Sequence, residues 1–143
     1  MAETDLSATR KDSYRYWVDE RVRFADLDLL GHVNNKAYCT YAESCRAAFL
    51  RHTGMWDGES NRQGVVIRLE INYLQELHYP AELRVGLRVL RLGASSLTVG
   101  LGIFSDERCV ATAVTVIVRI DAQTREKVTL NDDERSALAP YVR

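Results

Sequence analysis

From Arg23 to Phe49 the chain reads RFADLDLLGHVNNKAYCTYAESCRAAF, and this stretch decides the architecture. Its second half has a helical period: Tyr38, Tyr41, Cys45, Ala48 and Phe49 recur at spacings of three and four, and Gly54 follows as a C-cap. The spacing predicts one helix of about five turns. Ala37, Ala42, Ala47 and Ala48 would let that helix lie close against a curved sheet. The first half, Arg23 to Tyr38, keeps neither a helical nor a strand period and gathers two carboxylates, a glycine, a histidine and two asparagines. That cluster sits at the helix start, where backbone N–H groups lack partners and carry a partial positive charge. Asn34 or Asn35 can cap the helix, and Gly31 can turn the chain where other residues resist.

Outward from this stretch the period is two. Tyr14, Tyr16, Val18, Val22 and Phe24 share one parity before it; Val65, Ile67, Leu69, Ile71 and Tyr73 share one after it. Leu83, Val85, Leu87 and Val89, then Leu97, Val99, Leu101 and Ile103, continue on odd positions, while Val110, Thr112, Val114, Val116, Val118 and Ile120 form a β-branched run on even ones. These are five strands. Tyr79-Pro80-Ala81, Leu92 to Ser95 and Ser105 to Arg108 are short enough to join antiparallel neighbours, so the last four strands are expected to form a meander. The polar segment after Asp121 holds one short helix, capped by Asn131 or Asp132 and ending before Pro140. The expectation is an α+β architecture in one domain over residues 1–143, with its core at about 14–121 and a polar tail at 122–143.

Bulk properties narrow the function. A chain of 143 residues buries roughly two thirds of its unfolded surface and needs neither metal nor disulfide to fold. Its net charge of -1 provides no field for nucleic acid or an acidic membrane surface. Cys39, Cys45 and Cys109 lack the spacing of a zinc or redox motif, so no metal or other cofactor is expected. The opening MAETDLSATRKD has acids and hydroxyls where a signal peptide carries an apolar core, and a cytoplasmic location is expected. G-x-S-x-G elbows, phosphate-binding loops and dinucleotide glycine patterns do not occur.

Residues Asp28, Gly31, His32, Val33, Asn34, Asn35, Tyr38, Tyr41, Glu43 and Arg46 read D-x-x-G-H-V-N-N-x-x-Y-x-x-Y-x-E-x-x-R over nineteen consecutive positions. In this the chain resembles the hotdog-fold acyl-CoA thioesterases of the 4-hydroxybenzoyl-CoA thioesterase type. Gly93-Ala94-Ser95-Ser96 resembles the family's G-x-S-S connection, whereas the proline that many relatives carry soon after the tyrosine of the second strand is missing from Tyr73-Leu74-Gln75-Glu76. The resemblance implies a five-stranded antiparallel sheet wrapped around one central helix, sheets joined edge to edge in a dimer or tetramer, and active sites at the subunit boundary. It also implies hydrolysis of an acyl thioester of coenzyme A, or of an acyl carrier protein, to the acid and free thiol. By position, Asp28 resembles the catalytic carboxylate and the Asn35 backbone N–H the donor that polarises the carbonyl. Such a pair suits a thioester, whose thiol leaves readily as thiolate; Asp28 can serve as general base or as nucleophile.

Other residues keep two readings each. His32 and Asn34 either contact substrate or brace the loop. Tyr38 is a core residue or the edge of an acyl tunnel. Glu43 is a second catalytic or substrate-site carboxylate, as some members of the resembled family carry on this helix, or an i, i+3 partner of Arg46, and Asp26 is a structural residue at the strand end. Two other functions compete: an enoyl-thioester hydratase on the same fold, and a non-catalytic acyl-CoA binding module.

Overall fold

The computed structural model of the protein describes residues 6–142, so the first five residues of the N-terminal stretch lie outside the described residues. Strands β1 (Tyr16–Arg21), β2 (Arg62–Tyr73), β3 (Glu82–Leu92), β4 (Ser96–Ser105) and β5 (Arg108–Asp121) accompany helices α1 (Asn35–His52) and α2 (Asp132–Leu138). The strands form one antiparallel sheet in the order β1-β3-β4-β5-β2. Long α1 packs its buried stripe of Ala37, Tyr38, Tyr41, Ala42, Cys45 and Phe49 against one face of it. Asn34 caps α1, with its side chain accepting from the Lys36 N–H at 2.9 Å, and Gly54 beyond the C-terminus takes a positive φ of 77°. Ala47, expected on the inner side, faces solvent. Burial pushes the Cys45 thiol up to about 12, which makes it inert packing.

The sheet departs from the expected meander. Only β3, β4 and β5 follow one another; β2 pairs with β5, and residues 74–81 carry the chain back across the end of the sheet instead of closing a hairpin. Tyr38 anchors that connector: its hydroxyl donates to the Gln75 carbonyl and accepts from the Leu77 N–H, both at 3.1 Å. Pairing with β5 leaves β2 at the sheet edge. Ile67, Leu69 and Tyr73, expected on the apolar face, are therefore exposed on it together with Val66, with Ile67 at a break in register between Val66 and Arg68.

In the middle of β5 the faces are the reverse of what the β-branched run suggests, although Val110, Val118 and Ile120 of that run are buried. Ala111, Ala113, Thr115 and Ile117 face the core opposite Ile103, Leu101, Val99 and Leu97, while Thr112, Val114 and Val116 lie half-exposed on the outer face. The small Ala111 and Ala113 stand opposite the larger Ile103 and Leu101 of β4.

Tyr14 does not extend β1. It lies outside the strand, across the outer face, where it packs with Trp17, Phe104 and Cys109. Its seat is made by two glycines opposite each other in β3 and β4: a Cβ at Gly86 or Gly102 would stand 2.7 Å from Tyr14. Gly102→Ala should therefore destabilise the protein by about 1–3 kcal/mol, the usual cost of overpacking. Urea unfolding checks this; an unchanged midpoint would show that Tyr14 moves aside at no cost.

Beyond the sheet, α2 is held by charge. Glu134, buried, accepts from Arg62 Nη2 at 2.6 Å and Nε at 3.2 Å, from the buried Arg119 Nε at 2.6 Å, and from the Asn131 N–H at 2.9 Å. Burial by itself would raise the Glu134 carboxyl, but Arg62, the Asn131 N–H and Arg119 hold it below the usual carboxylate range.

Candidate active site

The loop between β1 and α1 folds on itself around Asp26. Its Oδ2 accepts from the Arg23 N–H at 2.9 Å and from the Tyr41 hydroxyl at 2.5 Å, and its carbonyl accepts from the Asn34 N–H at 2.9 Å. One residue thus ties the loop's entry, its exit and the helix behind it together. Burial, reinforced by the adjacent Asp26 carboxylate, pushes the Tyr41 hydroxyl above its ordinary range, so it stays a donor. Sequence reading gives Asp26 a structural part but not its partner; Tyr41 reads there as core, or like Tyr38 as the edge of an acyl tunnel, and it is fully buried.

Inside this clamp, residues 28–31 form a tight turn. The Gly31 N–H donates to the Asp28 carbonyl at 3.1 Å, and Gly31 takes a φ of 84°. Asp28 Oδ1 accepts from the Leu30 N–H at 2.9 Å. Its Oδ2 lies 3.7 Å from His32 Nδ1, beyond hydrogen-bond range, and accepts no hydrogen bond among the described residues. The carboxylate is thus held by one oxygen and presents the other. His32 Nδ1 also sits 3.4 Å from the Val33 carbonyl, and Val33 is pinned to the connector through its N–H and the Leu77 carbonyl at 2.9 Å.

Asn35 opens α1. Its backbone N–H finds no acceptor among the described residues, as expected of a first-turn N–H with no helical carbonyl before it, and the Asn34 side chain caps Lys36 instead. An exposed N–H at the positive end of an eighteen-residue helix can receive an oxyanion.

The remaining candidates divide. Asn34, with its side chain committed to the cap, stands next to Asn35. Tyr38 is 3% exposed with its hydroxyl spent on the connector, so in this chain it is a strut. Glu43 lies outside the loop on the exposed side of α1, 3.7 Å from Arg46. Among the described residues no group of three His, Cys, Asp or Glu is gathered as a metal ion would require, and no helix is long and apolar enough to cross a membrane.

A long helix against a five-stranded antiparallel sheet, with a carboxylate turn at the helix start, defines the hotdog class. Over residues 22–138 the chain matches the Thioesterase-like superfamily, and it belongs to that family. It is similar to a solved thioesterase from Thermus thermophilus complexed with coenzyme A and zinc: 30% identity, TM-score 0.80, covering 92% of this chain and 98% of that one. A crystal structure of a Pseudomonas aeruginosa protein superposes with a TM-score of 0.85 at 27% identity, covering 94% of this chain and 96% of the other. The uncharacterised YsmA of Bacillus subtilis is 27% identical over 129 residues, 90% of this chain and 88% of that protein.

Proposed function

We propose that the chain hydrolyses an acyl-coenzyme A thioester, with Asp28 as base or nucleophile and the Asn35 N–H polarising the carbonyl. The observation that carries this reading is Asp28 itself, fixed by the turn through one oxygen, while the other faces His32 Nδ1 at 3.7 Å and accepts no hydrogen bond among the described residues. Superfamily membership and the coenzyme A bound to the Thermus thermophilus relative support it. In the base route, Oδ2 takes a proton from water as the water oxygen bonds to the acyl carbon. The carbonyl oxygen gains charge against the Asn35 N–H, and the C–S bond then breaks to release coenzyme A as thiolate. Asn34 and His32 shape the loop around these groups. The exposed apolar residues of β2 support a homo-oligomer built by pairing that edge with a second copy.

The test is a panel of acyl-CoA and acyl-carrier-protein esters with release of free thiol followed over time. Thiol should appear from at least one coenzyme A ester. No release from any ester would remove the hydrolase reading, and loss of enoyl absorbance without thiol would replace it by hydration.

A further inference from the structure

A cleft of about 380 Å³ opens beside the Asp28 loop, between the end of β1 with the residues after it and the connector that leads into β3. Phe24 and Tyr79 stand on its walls, 74% and 48% exposed, with their rings edge to face at 5.8 Å and 81°. Two large rings at the surface, sheltered by each other and little else, form a platform on which a planar group can stack. Arg21, Arg23 and Glu82 complete the lining. Arg21 and Glu82 are register partners across β1 and β3, yet no ion pair joins them; neither side chain is bonded among the described residues. Arg23 reaches Glu20 at 3.2 Å and stays half-exposed.

We infer that this cleft holds the nucleotide end of coenzyme A, an adenosine carrying phosphates at its 3′ and 5′ positions. This rests on the acyl-CoA reading above and makes coenzyme A, rather than a carrier protein, the acyl carrier. The adenine stacks on Phe24 and Tyr79, the phosphates take the Arg21 and Arg23 guanidinium groups, and Glu82 accepts from the exocyclic amine. Reach agrees, since Phe24 and Asp28 are four positions apart and an extended chain of that length spans at most about 14 Å. The pantetheine arm covers that distance with length to spare. The cleft also lies at the β1 edge, the opposite end of the sheet order from the β2 edge assigned to a second copy.

The experiment uses the full chain with Phe24→Ala and Arg21→Gln variants and two readouts. In calorimetric titration the parent should bind coenzyme A and adenosine 3′,5′-bisphosphate competitively, and each variant should weaken both by roughly ten-fold, the scale of one lost base stack or phosphate contact. In turnover, the ratio of kcat/KM for an acyl-CoA to that for the same acyl group on pantetheine should fall by a similar factor in the variants. The inference is overturned if the bisphosphate does not compete with coenzyme A, if the variants bind coenzyme A like the parent, or if that ratio stays fixed. Failure of every thioester to turn over would defeat the hydrolase reading alone, because the titrations still decide the cleft.

Discussion

Asp28→Asn should lower acyl-CoA hydrolysis by roughly 10²- to 10⁴-fold, the contribution expected of a positioned general base. The substitution is close to isosteric. An asparagine oxygen can still accept from the Leu30 N–H, so the turn survives, while the group at Oδ2 no longer carries the charge needed to take a proton or attack a carbonyl. Coenzyme A affinity should hardly move, because the loss falls on the transition state. A single turnover of the parent in ¹⁸O-labelled water tests the nucleophilic route: label in the Asp28 carboxylate marks an anhydride opened at the aspartyl carbon, whereas label in the product acid alone is common to direct attack by water and to an anhydride opened at the acyl carbon. Turnover unchanged in Asp28→Asn would take the chemistry away from this residue.

Glu134→Gln should cost about 3–5 kcal/mol of stability at neutral pH, because it leaves the buried Arg119 without its countercharge. For a chain of this size that is a fall in Tm of roughly 6–20 °C. The pH dependence has a definite sign. Glu134 has a lowered pKa in the folded chain, so its contribution is present above the ordinary glutamate range and is lost as pH falls through the folded value. The difference in urea midpoint between parent and variant should therefore be full at pH 7 and shrink on acidification below about 4. A difference that stayed constant, or grew, toward low pH would mean that the ionised pair is not what holds α2 in place.

Much of this was legible in the residues, and the failures have causes. The three-and-four spacing placed α1 and Gly54 behind it, and the odd parity of β3 and β4 identified their buried faces, because both signals are local. The partner of β2 was not local. Nothing in the period of residues 62–73 separates a strand beside β3 from one beside β5; that choice is made by the connector and by Tyr38, which holds it from α1. In β5 the valines at 114 and 116 lie on the outer face, because a period of two marks two alternating faces without saying which of them meets the core. Gly86 and Gly102 were a usable signal that went unread: glycines meeting across two strands imply that something lies flat on them, here Tyr14. At the site, the turn that holds Asp28 and the Asn35 N–H, which has no acceptor among the described residues, both fall within the stretch singled out in the sequence. The bond from Tyr41 to Asp26 joins a helix stripe to a loop and has no signature in either.

The crossover of β2 also bears on how the chain is made. Its only strand partner among the described residues, β5, ends at Asp121, so 48 residues must follow Tyr73 from the ribosome before the pairing can be completed. At usual rates of synthesis that interval is roughly 2–10 s, long against the microseconds in which a hairpin closes. Throughout it the nascent chain carries the segment VVIRLEINYL, residues 65–74, rich in β-formers and unpaired. Arg68 and Glu70 interrupt that segment and act as its gatekeepers during the wait.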